Sequence, residues 1–75
     1  MEYITLTERE RMVIQYLLSG MKNEDIAEIL NISTHTIKAH LESVYSKLNV
    51  NNRVQCVIKA LKLGLVDLDD IRDRE

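Results

Sequence analysis

Residue types that interrupt, cross-link or anchor a chain are scarce in this sequence. It contains no proline, only two glycines and a single cysteine, Cys56. One cysteine excludes an internal disulfide and a zinc site built on cysteines, and it indicates a reduced, cytoplasmic setting. No apolar run is long enough to span a membrane, and the opening MEYITLTERE lacks the basic and apolar regions of a signal peptide. Because 45% of the residues are hydrophobic, we expect one packed domain.

Charge is unevenly distributed along the chain, although the net charge is only −2. The last eleven residues, LVDLDDIRDRE, hold five acids and two bases, whereas the other 64 hold eight bases and seven acids. Between Ser33 and Arg53 the bases Lys38, Lys47 and Arg53 face Glu42 alone. The near-neutral body with a mildly basic middle permits DNA binding without requiring it.

Apolar residues recur at spacings of three and four, and alternation with a period of two is absent, so the sequence predicts an all-α fold of four helices. Each predicted helix has boundary residues of familiar type. The helices are expected to begin at a Thr7–Glu10 capping box, Asn23, Ser33 and Asn51 or Asn52, and the signals that end them are Gly20, Asn31, about Leu48 and Gly64.

One apolar stripe on each helix is expected to face the core. The stripes are Val13, Ile14, Leu17 and Leu18; Ile26, Ala27 and Leu30; Ile37, Leu41, Val44 and Leu48; and Val54, Val57, Ile58 and Leu61. The fourth helix carries a second row on its other side, which requires a second partner. We expect a two-fold dimer there, or else a tolerated exposed patch, and the residues of the expected interface are Cys56, Lys59, Ala60 and Leu63.

The second and third helices, one short and one long, are joined by a turn of about three residues and form a helix-turn-helix. The second helix of such a unit inserts its N-terminal turns into the major groove of DNA. Hydroxyls, imidazoles and a lysine at the start of this helix can donate to phosphates and base edges, and the small Ala39 would let it lie deep.

Six short segments then resemble the LuxR/GerE-type DNA-binding domain. They are LTERE at 6–10, NEDIA at 23–27, IS-x-x-TIKAH at 32–40, KLNV at 47–50, NR at 52–53 and GLV at 64–66. The resemblance covers Leu6 to Val66. It implies a four-helix, winged-helix-like domain without a wing, with the third helix reading DNA and the fourth mediating dimerisation. It also implies bacterial transcription regulation, with RNA polymerase as a further partner.

The resemblance gives an expected division into a DNA-binding domain at 1–66 and an acidic tail at 67–75. Since no receiver or sensor precedes the domain, we expect either a stand-alone, GerE-like regulator or an output domain cut from a longer protein. The tail is not part of the family pattern. Glu42 is a second departure, because it can accept from cytosine N4 but repels phosphates.

The expected partner is double-stranded DNA, and the expected contacts lie on the second, third and fourth helices. They are Lys22, Asn23, Thr34, His35, Thr36, Lys38, Ala39, His40, Glu42, Ser43, Ser46, Lys47 and Arg53. Several have an alternative role. Thr36 could bond its own first turn, His40 could lie at the edge of the core, and Lys47 and Arg53 could pair internally with an acid such as Glu10.

Other functions are weighed against this prediction. The alternative is a helix-turn-helix module that binds another regulator through its fourth helix or acidic tail, which Glu42 and the acidic pI favour. Paired carboxylates, a glycine-rich phosphate loop and a nucleophile beside a base are missing, so an enzyme is not expected. His35 and His40 have no carboxylate or cysteine at matching spacing, so we expect neither a metal nor another cofactor.

Overall fold

A computed structural model describes residues 4–67, and this part of the chain forms four α-helices and no strand. Helix α1 spans Glu8–Leu18, α2 spans Asn23–Leu30, α3 spans Thr34–Leu48 and α4 spans Arg53–Lys62. The predicted all-α, four-helix fold is confirmed. Of the predicted acidic tail, all but Asp67 lies outside the described residues.

Three of the four helices begin at side-chain caps that the sequence predicts. The Thr7 hydroxyl accepts from the Glu10 amide and the Glu10 carboxylate accepts from the Thr7 amide, both at 3.0 Å, which completes the capping box of α1. Ser33 caps α3, and Asn52 caps α4. These bonds satisfy amides that a helix start otherwise leaves without a partner.

The start of α2 differs from the prediction. Its N-cap residue is Lys22, whose side chain makes no capping bond, and Asn23 is the first residue inside the helix. Asn23 as the cap is therefore wrong. The end of α2 is as predicted, because Asn31 adopts a left-handed conformation with φ 58° and turns the chain toward α3.

The core forms where one side of every helix meets the others. The stripes predicted for α1, α2 and α3 face the core, and Leu18 and Leu30 lie half-buried at the edge of the core. Glu10 is the one charged side chain buried within residues 4–67. The buried apolar residues are Leu6, Val13, Ile14, Leu17, Met21, Ile26, Ala27, Ile37, Leu41, Val44, Leu48, Cys56, Ala60 and Val66.

The two predicted faces of α4 are exchanged in the structure. Cys56 and Ala60, expected at a dimer interface, are fully buried in the core, whereas Val54 and Ile58, expected in the core, are 67% and 48% exposed. Both expectations are wrong. Helix α4 packs against α1 and α3, and short side chains on its inner side allow a close approach. Burial also raises the pKa of the Cys56 thiol.

The other two residues of the expected interface lie apart from the core. Lys59 is half-buried, and Leu63 is exposed just beyond the last residue of α4. Val57 and Leu61 are half-buried and pack against the edge of the core. We call the outward row Val54, Val57, Ile58 and Leu61 the outer face of α4.

Candidate nucleic-acid interface

The outward side of α3 presents a continuous polar row to solvent. His35, Lys38, Ala39, Glu42 and Ser46 are all exposed, and their spacing places them on one side of the helix. We call these five residues the exposed stripe of α3. The opposite side carries Ile37, Leu41, Val44 and Leu48 into the core, so the helix cannot rotate without exposing apolar surface.

Three other predicted site residues of α3, Thr36, His40 and Ser43, are half-buried beside the stripe. Thr36 and Ser33 share a hydrogen bond of 2.9 Å between their hydroxyls, and the Ser33 hydroxyl also accepts from the Thr36 amide at 3.0 Å. The side chain of Thr36 is therefore engaged in the first turn of its own helix, which was the alternative role. His40 is half-buried, and Thr34 is exposed at the start of the helix.

A cleft of about 530 Å³ opens where the starts of α2, α3 and α4 converge. Three of its lining residues are cationic and one is acidic, so its formal charge is 3 − 1 = +2. The side chains of Lys22 and Lys38 make no hydrogen bond or ion pair within residues 4–67. The cleft is lined by Gly20, Lys22, Asn23, Glu24, Thr34, Lys38 and Arg53.

Arg53 connects the start of α4 to the start of α2. Its guanidinium donates to the backbone carbonyl of Met21 and to the side-chain oxygen of Asn23, the latter at 3.4 Å. Both acceptors are neutral, so the positive charge of Arg53 remains uncompensated at the wall of the cleft. The internal ion pair that was considered for Arg53 is not formed among the described residues.

The side chains of Lys47 and Ser43 both donate to the carboxylate of Glu10. The Lys47 ammonium lies 2.7 Å from one carboxylate oxygen of Glu10, and the Ser43 hydroxyl donates to the other oxygen at 2.8 Å. For Lys47, the internal ion pair considered as the alternative is therefore formed. Ser43 and Lys47 belong to a contact between α1 and α3.

The Glu10 carboxylate is strongly stabilised in its ionised form. Burial alone would raise its pKa, but hydrogen bonds from Lys47, the Thr7 amide and Ser43, with the charge of Lys47, outweigh burial and lower the pKa from 4.5 to about 2. A group whose pKa falls on folding contributes stability that is fully present above its unfolded pKa. That contribution is lost as the pH falls through its folded pKa.

Substituting Glu10→Gln should therefore lower stability by an amount that depends on pH. The free energy of unfolding of the variant should lie furthest below that of the parent above about pH 4.5, and the two should converge as the pH approaches about 2. Urea unfolding at a series of pH values measures this difference, and acids common to both proteins cancel. A difference that stays constant over that range would mean that the charge of Glu10 does not stabilise the fold.

No group of three His, Cys, Asp or Glu side chains among the described residues is arranged to hold a metal ion. None of the four helices is long and apolar enough to cross a membrane.

Some of this arrangement could not be read from the sequence. The positions of Gly20 and Glu24 in the cleft, and the hydrogen bond between Glu10 and Ser43, join segments that are far apart in the chain. The pair of Glu10 with Lys47 was one of two roles that the sequence left open for this lysine. Glu24 is an acidic residue in the first turn of α2, where acids commonly lie, so its type alone does not indicate a cleft. The capping box was the one local sign that Glu10 has a fixed position.

The four-helix fold with its short α2, left-handed turn and long α3 defines a helix-turn-helix regulatory domain. The model of the family described as bacterial regulatory proteins, luxR family, matches residues 4–60, so the chain belongs to this family. The residues matched contain α1, α2, α3 and most of α4. The resemblance drawn from the sequence is confirmed.

Individual relatives agree with the family assignment. The chain is 43% identical over 60 residues to the nitrate/nitrite response regulator protein NarP of Escherichia coli (strain K12), covering 80% of this chain and 28% of NarP. The structure of the transcription factor GerE matches with a TM-score of 0.80 and 38% identity, over 85% of this chain and 96% of GerE. The chain spans 26–30% of the length of the first five curated relatives it matches.

A third relative was solved together with a protein partner. The DNA-binding domain of the response regulator ComA, in complex with the anti-activator RapF, matches with a TM-score of 0.74 and 37% identity. The match covers 76% of this chain and 98% of that domain.

Proposed function

We propose that this domain binds double-stranded DNA in a sequence-specific manner, as a homodimer, and thereby regulates transcription. The observation that carries the proposal is the exposed stripe of α3 beside a cleft of net positive charge. A helix with this stripe can enter the major groove, where base edges are distinguishable, while the cleft takes a backbone phosphate.

Each residue of the stripe has a chemistry suited to a base edge. Lys38 can donate to guanine O6 and N7, Glu42 can accept from cytosine N4, and the methyl group of Ala39 can contact a thymine methyl. His35 and Ser46 can donate to bases or phosphates at the two ends of the stripe. Because the buried side of α3 fixes its rotation, these five side chains face the DNA together.

The cleft supports a phosphate contact at one end of the stripe. Lys22 and Arg53 bring positive charge to it, and no side chain caps the start of α2. A phosphate there would be attracted both by the cations and by the open amides of the helix start. Glu24 reduces this attraction without cancelling it, since the lining keeps a formal charge of +2.

The outer face of α4 supports a dimer. Val54 and Ile58 are large apolar side chains that the monomer leaves exposed. A second copy related by two-fold symmetry would cover them and place two α3 helices for two half-sites of an inverted repeat. This dimer uses the side of α4 opposite to Cys56 and Ala60.

Selection of bound sequences from random duplex DNA tests the function. We expect the selected sequences to contain an inverted repeat whose half-site centres are about one helical turn, or a multiple of it, apart. The absence of any enriched sequence, at a salt concentration at which the domain binds duplex DNA, would contradict sequence-specific binding.

A second candidate function is binding to another regulatory protein through the outer face of α4. The exposure of Val54 and Ile58 favours it, and the ComA DNA-binding domain was solved with an anti-activator bound. If the domain selects no DNA sequence and also stays monomeric, this second function becomes the better account of the exposed apolar side chains.

Removal of residues 68–75 should increase non-specific DNA affinity. The segment holds four acids and two bases, so its loss removes a net charge of −2, while Asp67 keeps the carbonyl that accepts from Gln15 at 3.3 Å. The gain should be largest at low salt, where screening is weakest. Titration of a random duplex at about 50 mM salt measures it.

The matched control keeps the length of the segment and removes charge only. The variant Asp69→Asn, Asp70→Asn should show a similar gain. Unchanged binding in both variants would mean that this segment stays away from the DNA-binding side.

A further inference from the structure

Glu10 joins the start of α1 to the C-terminal half of α3. The carboxylate is buried and accepts from the Thr7 amide at 3.0 Å, from Ser43 at 2.8 Å and from Lys47 at 2.7 Å. The side chain of Lys47 is 36% exposed, whereas that of Glu10 is only 6% exposed. Lys47 thus lies at the surface, but the buried carboxylate of Glu10 compensates its charge.

The position of Lys47 makes this compensation relevant to DNA. Lys47 follows Ser46, the last residue of the exposed stripe, and is turned about 100° from it around the helix axis. This partly exposed side chain therefore lies on the flank of α3, between the exposed stripe and the core-facing row. An uncompensated lysine at that place would add a phosphate contact. Phosphate contacts strengthen binding to every sequence alike, because the backbone carries no sequence information.

The other cations near the stripe are not compensated in this way. Lys22 and Lys38 have no acidic partner within residues 4–67, and Arg53 donates only to neutral oxygens. The structure therefore separates the cations into an uncompensated group around the cleft and one neutralised lysine at the far end of the stripe.

We propose that Glu10 is a positioning residue, which withholds Lys47 from the DNA backbone and so limits sequence-independent binding. This inference rests on the proposed function. Glu10 makes no contact with DNA in this scheme and acts through Lys47. It also fixes α3 through Ser43, which favours binding in a single register. Loss of its charge should raise the affinity for random and for selected duplexes by similar factors.

The salt dependence of binding measures the number of neutralised phosphates. Log affinity falls with log salt on duplex DNA, and each contact adds about 0.9 to the steepness of this fall. The slope here means that steepness, taken as a positive number. A random duplex is titrated over about 50–200 mM salt with the parent, Lys47→Gln and the matched control Lys22→Gln. We expect Lys22→Gln to lower the slope by about 0.9 and Lys47→Gln to leave it unchanged. An equal decrease in the two variants would overturn the proposal.

The reciprocal experiment releases Lys47. Glu10→Gln keeps one side-chain oxygen, which can accept from the Thr7 amide, and gains an amide nitrogen that can donate to the Ser43 hydroxyl, but it removes the charge. We expect its slope to rise by about 0.9, which is roughly a threefold greater loss of affinity over this fourfold range of salt. The double variant Glu10→Gln, Lys47→Gln should return to the parent slope. A slope that does not rise in folded Glu10→Gln, or a rise that persists in the double variant, would overturn the proposal.

Folding and function are kept apart by two further measurements. Circular dichroism establishes that each variant is helical at the assay temperature, and if Glu10→Gln is not, the comparison of Lys47→Gln with Lys22→Gln decides alone. The affinities of Glu10→Gln for the selected and the random duplex should rise by similar factors, because phosphate contacts do not depend on sequence. If the parent selects no DNA sequence, the proposed function fails, whatever the slopes on the random duplex show. If a sequence is selected but the salt slopes of the variants differ from those expected above, only the role of Glu10 fails.

Discussion

Substitution of Lys38 by alanine should weaken binding to a selected DNA site by about 1–3 kcal/mol, or roughly 5- to 150-fold, if the lysine donates to a guanine. Lys38 lies on the exposed stripe of α3 and also lines the cleft, and it has no partner among the described residues. The variant loses a base contact as well as a charge, so its loss on the selected site should exceed its loss on random DNA. Fluorescence anisotropy with both duplexes measures the two losses.

Two controls separate base reading from general electrostatics. Lys22→Ala removes a charge from the same cleft but lies outside the stripe, so it should weaken selected and random DNA by similar factors. Unfolding curves should be nearly unchanged for both variants, because both lysines are exposed. Equal losses on the two duplexes for Lys38→Ala would make Lys38 a phosphate contact and remove it from sequence reading.

The helix boundaries were predictable because their signals are local. Thr7, Ser33 and Asn52 cap the helices that follow them, and Asn31 takes the left-handed conformation that ends α2. Each depends on residues within about four positions along the chain. Lys22 is the exception, since nothing in its side chain signals a helix start.

The buried side of α3 was also predictable, whereas that of α4 was not. On α3, one apolar row faces one polar row, so only one orientation buries the apolar side chains. On α4, both sides are apolar, and the spacing of Val54, Val57, Ile58 and Leu61 predicted them as the core-facing row. The core instead takes the smaller Cys56 and Ala60, because the space left beside α1 and α3 decides which side chains fit. Periodicity contains no information about that space.

The candidate site combines local and distant information in the same way. The exposed stripe of α3 follows from helix periodicity alone. The neutralisation of Lys47 depends on a residue 37 positions away in the chain, and the sequence offered it only as one of two roles. The cleft required three helix starts to converge, which only the packed fold reveals.

The burial of Cys56 and Ala60 decides which substitutions can test the dimer. Charges at Cys56 or Ala60 would enter the monomer core and unfold the domain, so they cannot report on association. Ile58 is 48% exposed in the monomer, so Ile58→Glu should leave the fold intact. In a dimer, the same carboxylate would be buried without a partner, which costs several kcal/mol.

Ile58→Glu should therefore be monomeric and helical, and should lose much of its affinity for an operator with two half-sites. The second half-site gains from effective concentration only while the subunits are linked, and that gain is about 10²-fold or more. Affinity for one half-site should change little.

Ile29→Glu is the matched control, because Ile29 is a similarly exposed isoleucine, 52% exposed, on α2. It adds the same charge but should leave association unchanged. Sedimentation of the parent and both variants, with and without operator, measures the stoichiometry. A parent that binds its selected site as one monomer per duplex would contradict the dimer, and the outer face of α4 would then be open to another protein.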